Sequence, residues 1–286
     1  MGATRFRTGL ARCDQGKYGP PVEYIDLRYE KDGSIVTITL DRPESRNAYS
    51  EGMLDSFERA FDEADVDPEV RAVILTGAGA TFSAGGDVKR MRERSGMFAG
   101  GPIELRSRYL AGIHRVPRRL ARFEKPLLAA INGPAIGAGL DLACMCDLRI
   151  AAQGARLGST FVKLGLIPGD GGAYVVARVV GFPRALELML TGRLVDAQEA
   201  ERIGLVNAVV SRERLLEAVR EKALEIAENA PLAVRLTKAA CYQSWNLGLD
   251  AALNLAATYQ GMVQNTPDHD EGVTAMVEQR KPEFRG

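Results

Sequence analysis

The sequence predicts a layered α/β protein that ends in an all-helical region. Short β-branched runs alternate with amphipathic helical stretches up to about Val210, glycine-rich turns join strands to the helices that follow, and helical periodicity continues from Arg212 onward.

A chain of 286 residues with 46% hydrophobic and 26% charged residues suits one large domain or two small ones and can bury a sizeable core. The 37 basic residues balance the 37 acidic ones, so no global field draws the protein to nucleic acid or to an acidic membrane, and an anionic ligand must be held locally. Cys13, Cys144, Cys146 and Cys241 form neither a disulfide framework nor the paired spacing of a zinc site, which points to reduced thiols and a cytoplasmic protein. His114 and His269 are the only histidines, so a histidine-rich metal site is excluded and no metal is expected. No apolar run approaches the length of a membrane span.

Taken in order, residues 1–21 end in Gly19-Pro20-Pro21 and read as an N-terminal arm without a core of its own. Ile35 to Leu40 is a β-branched run between Asp32-Gly33 and Arg42-Pro43, hence a strand. A helix follows Ser50, a plausible N-cap, with Leu54, Phe57, Phe61 and Ala64 on one face. Ala72 to Thr76 reads as a buried strand, and Gly77 to Lys89 as a glycine-rich loop running into a helix. That loop is not a dinucleotide fingerprint, because Phe82 stands where the third glycine belongs. Met91 to Arg106 reads as a mobile loop or lid, followed by an amphipathic helix from about Tyr109 to Phe123. Leu127–Ile131 and Leu148–Ala151 are further strands, and Leu205–Val210 a short one. Helices are expected near 173–180, 183–190 and 197–203, then over 212–229, 231–244, 248–264 and 268–280.

The stretch Ile131 to Leu142 organises the rest, since it reads as a strand that breaks through a Gly/Pro turn into a helix. The first N–H groups of a helix have no internal partner and sit at the positive end of its dipole, so an anion or a developing one is favoured there. Asp141 follows about one helical turn later on the same side. It reads equally as a first-turn acid favoured by the dipole or as a group aimed at a ligand. Gly85-Gly86 sits at a second loop-to-helix junction and can present another pair of N–H groups. Asp170, in Pro168-Gly169-Asp170-Gly171-Gly172, is a second acid near a helix start, with N-capping as its structural alternative.

Three stretches together resemble the enoyl-CoA hydratase/isomerase, or crotonase, family from about Glu23 to the end: Leu40 to Ala48, Phe82 to Lys89, and Asn132 to Gly139. Leu190-Thr191-Gly192, Gly204-Leu205-Val206 and the closing Glu278 to Phe284 fall in the same order and spacing. The resemblance implies a crotonase-like α/β spiral of β-β-α units over 22–211 and a helical C-terminal region over 212–286 that builds a homotrimer or a dimer of trimers. It also implies an acyl-CoA thioester as substrate, with coenzyme A entering as part of it and no separate cofactor. Carried over residue by residue, the N–H groups of Gly86 and Ala138 form an oxyanion hole for the thioester oxygen. Arg46, Ala84, Asp87, Val88, Lys89 and Phe161 line the substrate and coenzyme A site, and Lys281 is a candidate for its phosphates.

Thioester chemistry beside the carbonyl passes through an enolate, which two fixed N–H donors stabilise, and proton transfer then needs acids within reach. The family's hydratases look for two glutamates here, whereas this sequence has Asp141 and Phe161. Asp141 and Asp170 are therefore the expected acid/base pair. Hydratase is the expected activity, with enoyl- or dienoyl-CoA isomerase, hydrolase and decarboxylase as enzymic rivals and a silent acyl-CoA-binding scaffold as the non-enzymic one.

Overall fold

Neighbouring residues along each central strand point to two different cores, which is the period-two consequence of a sheet covered on both faces. The computed structural model describes residues 23–286. The expected arm over 1–21, with Cys13, lies outside the described residues.

Strands β1 (Leu27–Asp32) and β2 (Ile35–Leu40) form an antiparallel pair. Helix α1 (Glu51–Val66) is capped by Ser50, whose side chain accepts from the Met53 N–H at 3.0 Å, and it returns the chain to β3 (Ala72–Gly77), parallel to β2. After α2 (Val88–Glu93), α3 (Pro102–Ala111) and α4 (Arg115–Leu120), strand β4 (Leu127–Ile131) joins parallel to β3. The short β5 (Ala135–Ile136) leads into α5 (Ala138–Met145), and β6 (Leu148–Ala152) pairs with β4. Then come β7 (Arg156–Gly158), a 3-10 turn at Phe161–Leu164, α6 (Gly172–Val180), α7 (Phe182–Thr191), β8 (Val195–Asp196), α8 (Ala197–Arg202) and β9 (Ala208–Val210). The large sheet has the order β1-β2-β3-β4-β6-β9 and a small one the order β5-β7-β8.

On one face Val36, Ile38, Val73, Leu75, Leu127 and Ala129 join α1, α5 and α6 in the main core. On the other face Ile35, Ala72, Ile74, Leu128 and Ala130 meet Leu215, Val219, Ala223 and Ala227 of α9 (Leu215–Ala227). These four recur every fourth residue, so the helix lays one stripe on the sheet. Although α9 lies beyond residue 212, it therefore belongs to the core. Helices α10 (Pro231–Ser244), α11 (Leu249–Val263) and α12 (Pro267–Glu278) complete the chain, and α10 and α11 bury no residue fully. Leu249, Leu253, Met276 and Val277 on these helices are exposed. Among the described residues no helix is long and apolar enough to cross a membrane.

Several expectations need correction. The single helix over 109–123 is two, α3 and α4, separated at Gly112 to His114. A proline deep in one continuous helix would lose a hydrogen bond and crowd the carbonyl four residues before it, whereas restarting at Arg115 leaves Pro117 in a first turn, where its missing N–H is harmless. The stretch 91–106 is not an open lid: it contains the end of α2, a 3-10 turn at Gly96–Phe98 and the start of α3, with Met97 and Phe98 buried. Strand pairing near 205–210 is confined to β9, because Leu205 and Val206 donate their N–H groups to the Ala200 carbonyl as the chain leaves α8. Strand β1 was not anticipated, since the edge sequence LRYEKD carries four charges and shows no apolar alternation beyond Leu27 and Tyr29.

Candidate active site

The loops that leave the C-terminal ends of β2, β3 and β4 meet at one place, as expected for a mostly parallel sheet. After β2, Arg46 and Asn47 both adopt left-handed backbone, with φ of 54° and 53°. This arrangement is uncommon for residues other than glycine and is held by the Asn47 amide, which donates to the Ala78, Thr81 and Phe82 carbonyls at 3.0, 2.7 and 3.2 Å. The Arg46 carbonyl in turn accepts the Ala84 N–H at 2.9 Å. The β2 and β3 loops are thereby locked together.

The β3 and β4 loops stack just as tightly. The Ile136 N–H donates to the Ser83 carbonyl at 3.0 Å, and any side chain at Gly139 would collide with that same carbonyl oxygen. A Cβ on Gly85 would stand 2.7 Å from the Ala138 nitrogen. Small residues at 85 and 139 thus set the spacing of the two turns, and Gly137 (φ 56°, ψ −123°) takes a backbone conformation that only glycine adopts readily.

Two peptide planes are fixed by this stacking. The Gly85 carbonyl accepts the Tyr49 N–H at 2.8 Å, and because a trans peptide directs its C=O and N–H oppositely, the Gly86 N–H is turned away from that bond. The Gly137 carbonyl accepts the N–H groups of Leu140 and Asp141 at 2.9 and 3.1 Å, which orients the Ala138 N–H in the same manner. Neither the Gly86 nor the Ala138 N–H has an acceptor among the described residues. Both residues line a cavity of about 340 Å³ with Val88, Met91, Ile136, Phe161, Leu164 and Leu166, a mostly apolar lining that also holds Arg46, Thr81 and Thr160.

This cavity shares Arg46, Ala84, Gly86 and Val88 with a cleft of about 590 Å³ that adds Arg42, Glu44, Asp87, Lys89, Arg90 and Glu93. Within the cleft Arg42 pairs with Asp87 at 3.2 Å and Arg90 with Glu51 at 2.8 Å, while Arg46 and Lys89 make no ion pair among the described residues. Asp87 is engaged in building the loop, since it also caps α2 by accepting the Arg90 N–H at 3.2 Å. Lys281 is elsewhere in the chain, paired with Glu228 at the end of α9 at 2.8 Å, and lines neither the cavity nor the cleft.

Asp141 and Asp170 come together, but behind the cavity rather than on its wall. Asp141 is fully buried and Asp170 nearly so. Asp170 does not cap a helix: the residue at the N-cap of α6 is Gly171. The Asp141 carboxyl lies against the Cα of Gly172, where any Cβ would collide with it, and the charge of Asp170 acts on it. Neither Asp141 oxygen nor Asp170 Oδ1 has a hydrogen-bond partner among the described residues. Two neighbouring buried carboxyls without outside donors cannot both ionise cheaply, which favours the protonated form of Asp141. Burial, then the charge of Asp170, raises Asp141 well above the ordinary carboxylate range, and burial also raises Asp170. The turn that carries Asp170 is held by His114, whose Nε2 donates to the Gly169 carbonyl at 2.7 Å.

Phe161 enters the site from the 3-10 turn after β7, with its ring over Gly137: a Cβ there would meet the Phe161 Cζ at 3.7 Å. Sequence reading missed the structural parts played by Tyr49, Gly85 and Gly172. The doubled glycines at 85–86 and 171–172 were the available signal for two of them, and nothing local marked Tyr49.

A family model for enoyl-CoA hydratase/isomerase matches residues 30–286. A short-chain-enoyl-CoA hydratase of Clostridium acetobutylicum is 40% identical over 263 residues, covering 92% of this chain and 98% of that protein. A crotonyl-CoA hydratase of Syntrophomonas wolfei is 38% identical over 262 residues, covering 91% and 98%. The crystal structure of an enoyl-CoA hydratase from Bacillus anthracis superposes with a TM-score of 0.85 at 36% identity, over 92% of this chain and all of that one. With a shared fold, a match across nearly the whole chain and the loops of three parallel strands converging on one cavity, this protein belongs to the enoyl-CoA hydratase/isomerase family, and is an enzyme of the lyase or isomerase type.

Proposed function

We propose that this protein hydrates an α,β-unsaturated acyl-CoA through an enolate held by the N–H groups of Gly86 and Ala138. The observation that carries this reading is the pair of backbone donors without acceptors at the wall of an apolar cavity. The thioester oxygen binds between them, the acyl chain occupies the apolar cavity beside Phe161, and the coenzyme A phosphates meet Arg46 and Lys89 in the adjoining cleft. Coenzyme A is part of the substrate, and the reaction invokes no further cofactor.

Hydration adds the oxygen of water to the β carbon and a proton to the α carbon, the electron pair of the double bond passing through the enolate. One group must take a proton from water while another gives one to carbon. A carboxyl pair holding a single proton contains both a base and an acid. Asp141 lies one helical turn beyond Ala138, about 5–6 Å along the helix face, which puts the pair just behind the wall of the cavity.

A second reading follows from Phe161, whose ring cannot hold an attacking water. In an isomerase the same pair takes a proton from one carbon of a β,γ-unsaturated or dienoyl thioester and returns it to another, without water. Turnover of α,β-enoyl-, β,γ-enoyl- and dienoyl-CoA thioesters, followed by absorbance and product mass, separates the readings. A mass gain of one water supports hydration, an unchanged mass with a shifted double bond supports isomerisation, and binding without turnover overturns both in favour of a scaffold. The exposed apolar residues of α11 and α12 support assembly as a trimer or a dimer of trimers, for which light scattering is the test; a monomer at micromolar concentration would exclude it.

A further inference from the structure

We infer that Tyr49 is a positioning residue for the two oxyanion donors, its phenol holding the turn of Ala138 against the turn of Gly86. The inference rests on the oxyanion reading above and concerns a residue that touches neither cavity nor cleft.

Tyr49 bonds to both turns, through its main chain to one and its side chain to the other. Its backbone N–H donates to the Gly85 carbonyl at 2.8 Å and so fixes the peptide that carries the Gly86 N–H. Its hydroxyl reaches across the core to the Ala138 carbonyl at 3.4 Å, between residues 89 apart in sequence. The side chain is buried, and its hydroxyl has no other acceptor among the described residues, so the proton is committed to Ala138. Burial, together with the charges of Asp170 and Asp141, keeps the phenol protonated well above its ordinary range, so it acts there as a donor throughout the physiological range.

The geometry has a consequence for catalysis. Oxyanion donors are effective only when both lie within hydrogen-bond distance of one developing charge, and a small misplacement is expensive in rate. The two donors stand on different loops, joined in the chain only through β4 and its flanking helices. Backbone contacts fix the pitch of each turn. The phenol adds a strut between them, from a side chain whose own main chain is anchored to the first turn. The bond is 3.4 Å, and it is expected to tighten when the thioester oxygen draws the Ala138 N–H forward.

Tyr49→Phe removes only the strut, because the backbone bond to Gly85 and the buried ring are retained. The expected result is a fall in kcat of about tenfold, less than the 10²–10³ that follows loss of a whole donor, with KM within about twofold and the thermal midpoint little changed. The direct readout is the carbonyl stretch of a bound, isotopically labelled enoyl-CoA, which drops when the oxyanion hole polarises it. In Tyr49→Phe it should move back toward its solution value. Tyr49→Phe with wild-type kcat and carbonyl frequency would overturn the inference, as would a loss confined to thermal stability. A wild-type protein that polarises the carbonyl without turnover would refute the proposed reaction, while the frequency in Tyr49→Phe would still decide the role of Tyr49. If wild type leaves the carbonyl at its solution frequency, the oxyanion reading and this inference both fail.

Discussion

The carboxyl group of Asp141 rests on the Cα of Gly172, with its carbon and both oxygens inside the space that a Cβ at position 172 would occupy. A glycine at the start of α6 is therefore what lets an acid of α5 turn toward Asp170. The contact makes the two helix termini interdependent and yields the first prediction. Gly172→Ala forces the carboxyl out of its seat and should destabilise the fold by about 1–3 kcal/mol, the usual range for overpacking, and reduce turnover. Adding Asp141→Ala should recover most of the stability and none of the activity. Chemical denaturation of both single variants and the double one measures the coupling, which is strongly non-additive if the contact is the cause.

The buried carboxyl pair gives the second prediction. Asp141→Asn should lower kcat by roughly a hundredfold or more, with thioester binding largely retained, because an amide neither gives nor takes the proton. Asp170→Asn should do the same, whereas a residue that only shaped the turn would lose stability at unaltered rate. Steady-state kinetics with a binding measurement on each variant separates these outcomes.

A third prediction concerns pH. Burial and the charge of Asp170 raise Asp141 above the ordinary carboxylate range, so across the interval from about pH 4 to its folded value the native state binds more protons than the unfolded chain. Its contribution to stability is fully present below that interval and is lost as pH rises through it, at up to ~1.4 kcal/mol per pH unit. Denaturation curves measured upward from pH ~4 should show this decline in wild type and a smaller one in Asp141→Asn, which has no proton to lose. Parallel curves for the two proteins would remove Asp141 as the source.

Phe161 carries the fourth. Its ring lies over Gly137 and lines the apolar cavity beside the Ala138 donor. Wild type should hydrate crotonyl-CoA slowly, and Phe161→Glu should hydrate it faster, since a carboxylate there can hold water. The added charge should also lower the thermal midpoint, given the apolar neighbours Leu164 and Leu166. Paired rates and melts on the two proteins test both statements, and equal hydration rates would show that Phe161 does not limit water addition.

Much of the site could be read directly from the sequence, because its parts are local. Ser50 as a cap, the β-branched runs of β2, β3 and β4, and the turns at 85–86 and 137–138 each depend on residues within a few positions, so propensity and hydrogen-bond capacity were enough to locate them. Three motifs in a fixed order were enough for the family. The sequence was silent on edge strand β1 and on the break between α3 and α4, where charge and a glycine mask the periodicity. Only the tertiary structure decided what the acids do. Asp141 and Asp170 read separately as two acids near two helix starts, and it is the packing of α5 on α6 across Gly172 that turns them into one buried pair with raised pKa values. Likewise Tyr49 reaches Ala138 only because β2, β3 and β4 end side by side, and Phe161 faces Gly137 because β7 pairs with β5. Periodicity reports which face of an element is buried; what that face meets depends on the register and layering of elements distant in the chain, which the local sequence does not encode.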